Sequence, residues 1–160
     1  MEITWLVVAN RSRARILEVR ARNEAPREAA DFVNPAGRVH ERDLDSDAAG
    51  RFYGKGEREQ GHSAPPGESQ AEHEVDRFTV ELREFLDRAR IEKRFAHLWL
   101  IAAPAFLGQL RNAFHKPLRH CVELEIDKDL TTDKPDDILR RAIDAKEAKA
   151  LAHSARTSAR

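Results

Sequence analysis

Ile3-Thr4-Trp5-Leu6-Val7-Val8-Ala9, then Asn10-Arg11-Ser12-Arg13, then Ala14-Arg15-Ile16-Leu17-Glu18-Val19-Arg20, is the stretch that decides the fold. The first seven residues are β-branched and almost continuously apolar, as in a central strand covered on both faces. The next four are a polar break of hairpin length. The last seven resume with rough alternation, the pattern of a strand with one wetter face. Together they predict an antiparallel hairpin at the start of a sheet.

Working outward, Ala29 to Val33 reads as a third, short outer strand after a polar connection containing Pro26. Then periodicity stops. Residues 35–69 hold six of the seven glycines and three of the seven prolines, with no apolar period of two or 3.6. A run this long inside a compact chain is uncommon and is usually functional or disordered. It ends at Ser69-Gln70-Ala71-Glu72, which has the spacing of a capping box. Val75, Phe78, Leu82, Phe85, Leu86 and Ala89 then form one helical stripe, predicting a helix over about 70–92.

His97 to Ala102 reads as a second buried strand, closed by Pro104. Phe106, Leu107, Leu110 and Phe114 share a face of a second helix, which Pro117 should stop or kink. Cys121 to Ile126 alternates and reads as an edge strand. A last helix starts near Asp133 and carries Ile138, Leu139, Ala142 and Ile143. The domain is expected to span 1–150, with residues 151–160 a frayed tail.

The order β-β-β-loop-α-β-α-β-α predicts an α/β fold. Its sheet is mixed and five-stranded, order 3-2-1-4-5, with helices on both faces, a ribonuclease-H-like layout. Strands 1, 3, 4 and 5 then end on one edge. Ligands of open α/β sheets bind at the carboxyl ends of strands. That edge gathers Asn10, Arg11 and Arg13, both ends of the long loop, and Asp127 to Asp129.

The bulk numbers restrict the function. The 160 residues suffice for one domain with a core. Twenty-eight basic and 28 acidic side chains cancel, which argues against a general polyanion binder. The single cysteine forbids an internal disulfide and fits a reducing compartment. The apolar run at Ile3 to Ala9 follows no basic segment and is too short for a signal or a membrane span, so the expectation is a cytoplasmic chain with no membrane partner. The oligomeric state is not legible.

No reaction is legible either. A two-metal nuclease needs carboxylates at its strand ends. Here strand 1 ends in Asn10 and strand 4 in Ala102-Ala103, while Asp127 and Asp129 read as surface or capping residues. The seven histidines include no ligand pair backed by cysteines, so no zinc site is expected. There is no nucleophile elbow and no P-loop. Gly54-Lys55-Gly56 neither follows a strand nor opens a helix. No metal or cofactor is expected. Binding chemistry is easier to find. Arg11 and Arg13 suit phosphate contacts. In the loop, Phe52 and Tyr53 beside Arg51 and Lys55 suit base stacking. A second basic window holds Arg111, Lys116 and Arg119, away from that edge.

The chain resembles the bacterial host attachment proteins, described as required for attachment to host cells. The likeness rests on Val7 to Ile16, on Asn34-Pro35 and Arg42-Asp43-Leu44, and on Gly50-Arg51-Phe52. It continues through His73-Glu74 with Arg77-Phe78, Phe106 to Arg111, and Asp127 to Thr131. That family in turn resembles the middle domain of archaeal and eukaryotic peptide-chain release factors. Such a domain has a ribonuclease-H-like sheet and a Gly-Gly-Gln tripeptide in the loop before its long helix. The tripeptide is missing here; Gly54-Lys55-Gly56 and Gln60-Gly61 are the nearest approach. The resemblance brings no cofactor and no settled catalytic residue. The leading expectation is a non-catalytic module that binds ribosome or tRNA and affects attachment indirectly. A protein-interaction domain using residues 35–69 is the second. A peptidyl- or aminoacyl-tRNA esterase acting through Gln60 or His62 is the third.

Overall fold

The computed structural model describes residues 2–37 and 66–159. Five strands form one sheet: β1 (Thr4–Ala9), β2 (Arg13–Val19), β3 (Arg27–Val33), β4 (His97–Ala102) and β5 (Val122–Ile126). Their order is β3-β2-β1-β4-β5, as the sequence predicts. β1 pairs antiparallel with β2, and β2 with β3. β4 lies parallel to both β1 and β5.

The central strands are apolar throughout because both faces are covered. Trp5, Val7 and Ala9 of β1 and Leu98, Leu100 and Ala102 of β4 enter one core. Leu6 and Val8, with Trp99 and Ile101, enter a second core on the other side. The first core is closed by α1 (Pro66–Ile91), α2 (Pro104–Ala113) and α3 (Lys116–His120). The second is closed by α4 (Pro135–Ser158) through Ile138, Leu139 and Ala142. Val75, Phe78, Leu82, Leu86 and Ala89 are the buried face of α1, joined by Ala71.

Four boundaries differ from expectation, each for a local reason. α1 begins at Pro66 rather than near Gln70, so Ser69 is placed within the helix and not at the position before it. A proline is well suited to a first helical position, where its missing N–H costs nothing. Pro117 opens a helix instead of ending one: α2 stops at Ala113, Phe114 is extended, and Pro117 lies in the first turn of α3. Cys121 follows α3 and precedes β5. α4 continues to Ser158, past the tail expected from 151, because Ala, Lys and Arg sustain a helix without tertiary support.

Candidate functional site

β1, β3, β4 and β5 end on the same edge, and the tip of the β1–β2 hairpin stands there. Asn10 organises that tip. Its Oδ1 accepts hydrogen bonds from Ser12 N–H, Ser12 Oγ and Arg13 N–H, each at 2.8 Å. This is an Asx-type turn, in which a short side chain satisfies backbone donors two and three residues on. Its Nδ2 donates to Asp129 Oδ2 at 2.9 Å and to Thr131 Oγ1 at 3.2 Å. Asp129 Oδ1 in turn accepts from Thr131 N–H at 3.1 Å and Thr131 Oγ1 at 2.6 Å. Burial pushes the Asp129 carboxyl up, but the Thr131 hydroxyl and the Asn10 amide outweigh it and hold the group below the usual range. Asn10 and Asp129 are thus brought together, and together they tie the loop after β5 to the hairpin. Asp127 is exposed and makes no side-chain hydrogen bond to a described residue.

The two arginines of the tip diverge. Arg13 grips Asp31 of β3 with two bonds, Nε to Oδ1 at 3.1 Å and a terminal nitrogen to Oδ2 at 2.7 Å. The fork matches the carboxylate. It holds Asp31 below its ordinary range and raises Arg13 further. Arg11 is half-buried and lines a cleft of about 250 Å³ with Glu72, Val75 and Asp76 of α1 and Gln109 of α2. Gln109 Oε1 is buried there without a hydrogen-bond partner among the described residues.

The start of residues 35–69 is fastened to the same tip. Asn34 N–H donates to Ser12 O at 2.7 Å, and Asn34 Nδ2 to Arg11 O at 3.0 Å. Gly37 then passes so close that an added Cβ would lie 2.2 Å from Arg11 O. Here the glycine is required by close approach. Behind the tip, buried Arg15 donates to Thr131 O at 3.0 Å and Asp133 O at 2.8 Å, and pairs with Glu28 at 2.9 Å.

Sequence reasoning placed Asn10, Arg11, Arg13, Asp127 and Asp129 at this edge correctly, and missed Asp31, Asn34, Gly37, Gln109 and Thr131. Asn34-Pro35 followed by Gly37 was a signal of a fixed turn. Nothing in the one-dimensional pattern marked Gln109. Arg51, Phe52, Tyr53, Gly54, Lys55, Gly56 and Gln60 lie outside the described residues. Among the described residues no group of three His, Cys, Asp or Glu side chains is arranged to hold a metal ion. No described helix is long and apolar enough to cross a membrane.

Residues 5–141 match the family described as "Protein required for attachment to host cells". The chain belongs to this family. Its matched region takes in the whole edge, from the hairpin tip through Thr131. No curated protein matches the chain by sequence. Among solved structures, an archaeal translation termination factor, aRF1, aligns with 97% of this chain at 12% identity and a TM-score of 0.47. The chain spans 42% of that factor's length.

Proposed function

We propose that this host-attachment family member is a non-catalytic binding module that works from the carboxyl edge of its sheet, with RNA of the translation apparatus as its ligand. The observation that carries the reading is the setting of Arg11. It lines a cleft at the edge with α1, which follows residues 38–65, and its carbonyl lies against Gly37, which precedes them. Those intervening residues contain Arg51 and Lys55 beside Phe52 and Tyr53, the residue types that hold a phosphate backbone and stack on bases. The polar groups with catalytic potential, Asn10 and Asp129, are engaged in hydrogen bonds that hold the turn. An effect on host attachment then follows from what the module binds.

A protein partner is the second reading, and the charge of the edge favours it. Arg13 is already matched by Asp31, and Glu72 and Asp76 lie beside Arg11. A pulldown with tagged protein, with and without nuclease, separates the two. The first reading expects ribosomal RNA or tRNA, released by raising salt and reduced severalfold in Arg11→Ala, since each lost phosphate contact lowers the salt slope by about one. A nuclease-resistant protein partner with no RNA would replace it by the second. Turnover of an aminoacyl ester above blank would overturn the non-catalytic assignment.

A further inference from the structure

The second basic window has no part in that edge, and the structure gives it a setting. Residues Val122, Glu123, Leu124 and Glu125 all line one cavity of about 580 Å³. Neighbouring residues of a strand point to opposite faces of a sheet. A register irregularity interrupts that alternation in β5, but Val122 packs on the α2–α3 side and Leu124 on the α4 side, so the cavity wraps the strand's edge and also reaches Leu100 of β4. β5 ends the strand order and, among the described residues, pairs only with β4, so no described strand neighbours its outer edge. The walls come from both sides of the sheet: Arg111, Phe114 and Arg119 from the α2–α3 side, and Lys149 from α4 on the other. This is a slot of the kind an added strand fills.

Charge selects the occupant. Glu123 and Glu125 are already engaged by the protein's own cations. Arg111 Nε donates to Glu125 Oε2 at 2.7 Å, and Lys146 Nζ lies 3.3 Å from Glu123 Oε2. Arg119 donates to the Arg111 carbonyl at 2.7 Å. Among the described residues, neither Arg119 nor Lys149 has a carboxylate within ion-pair distance. The slot thus offers strand hydrogen-bonding groups in the middle, half-buried Val122 beside them, and two exposed cations, Arg119 and Lys149, on opposite sides of the sheet.

We propose that the β5 edge is a docking site for an extended, acidic peptide segment of a partner protein, which adds as a sixth strand parallel or antiparallel to β5. Backbone hydrogen bonds give such a complex its affinity, and alternate side chains give it specificity. The partner's backbone meets the edge of β5, an apolar residue meets Val122, and carboxylates from its two faces meet Arg119 on one side of the sheet and Lys149 on the other. The site lies apart from the Arg11 cleft, so either assignment can fail alone.

The probe is a labelled eight-residue peptide, Val-Val-Glu-Glu repeated twice, which carries glutamates on both faces of an added strand, titrated into the full chain by fluorescence anisotropy. Saturable binding is expected, weakened at least tenfold when alternate peptide nitrogens are methylated and at least tenfold in Arg119→Glu/Lys149→Glu. Both positions are exposed, and circular dichroism checks that the double variant folds. Arg11→Ala should bind this peptide normally. The proposal is overturned by an absence of binding, by equal binding of the methylated peptide, or by equal binding of a valine–lysine peptide. Capture of an RNA oligonucleotide that competes with the peptide and is lost in the same double variant would also overturn it, in favour of a nucleic-acid groove.

Discussion

At the residue scale, Asn10 shows how little of a site can be read from its own neighbourhood. A polar residue after an apolar strand signals a turn, and that was legible. That its amide reaches Asp129, 119 positions away, was not, because the partner is set by where β5 ends. Asn10→Ala leaves Ser12 N–H and Arg13 N–H without their acceptor and frees the loop after β5. We expect a loss of about 2–3 kcal/mol in urea unfolding, the cost of several unmade, largely buried hydrogen bonds. Asn10→Asp is a sharper probe. It keeps the acceptor for the turn but sets a carboxylate against Asp129. Two carboxylates sharing a site cannot both ionise cheaply. N10D should therefore be less stable than wild type at pH 7, with the gap narrowing as pH falls toward 4; a gap that stays constant would show that the Asn10–Asp129 contact does not form. Gly37→Ala tests the other fastening. The new methyl would meet a backbone carbonyl that cannot swing aside, and a loss of about 1–3 kcal/mol is expected from such overpacking.

At the element scale, helices and strands were legible wherever apolar spacing extended over several turns, and their ends were not. α1 is the clearest case. Its buried stripe is the one the spacing predicts, yet its last turn uses a motif whose usual sequence signal is absent. Arg94 N–H donates to Ala89 O at 2.9 Å and Lys93 N–H to Arg90 O at 3.0 Å, with Lys93 at φ 59°. That is a Schellman ending with lysine in the left-handed position where glycine is favoured. Lys93→Gly should stabilise the chain by about 1 kcal/mol, because glycine occupies that region without the Cβ penalty. An unchanged or lowered urea midpoint would mean that the lysine side chain contributes more than its strain. α4 teaches the complement. Side chains from Ala150 to Ala159 are all exposed, so this part of the helix rests on propensity. Deleting 151–160 removes no buried group among the described residues, and stability should change by less than about 0.5 kcal/mol.

At the scale of the whole molecule, the balanced charge hides an uneven response to acid. Glu18, Asp31, Glu123 and Asp129 all have carboxyl groups held below their ordinary range. Burial pushes Glu18 and Glu123 up; bonds from Arg20 and Trp5 to the first, and from Trp99 and Lys146 to the second, prevail. None of this was legible in composition, which counts charges but not their partners. The sign follows from linkage. A carboxylate with a depressed pKa stays ionised in the native state at a pH where the unfolded chain takes up a proton. The unfolded state then binds more protons, so stability falls as pH falls. The contribution is complete above the unfolded carboxylate range, near pH 4, and is lost as pH drops through the lower native values. Urea midpoints should therefore hold between pH 7 and about 5 and decline steadily toward pH 3. Self-repulsion acts in the same direction, because neutralised acids leave 28 basic side chains and seven histidines unopposed. Salt distinguishes the two causes: repulsion between exposed charges is screened, whereas the bonds to Asp129 come from the neutral donors of Asn10 and Thr131 in a part-buried network and depend less on ionic strength. At 1 M salt the decline should shrink but persist, and Asp129→Asn should flatten what persists. A midpoint that is level from pH 7 to 3 in high salt would assign the whole acid response to net charge and remove Asp129 from it.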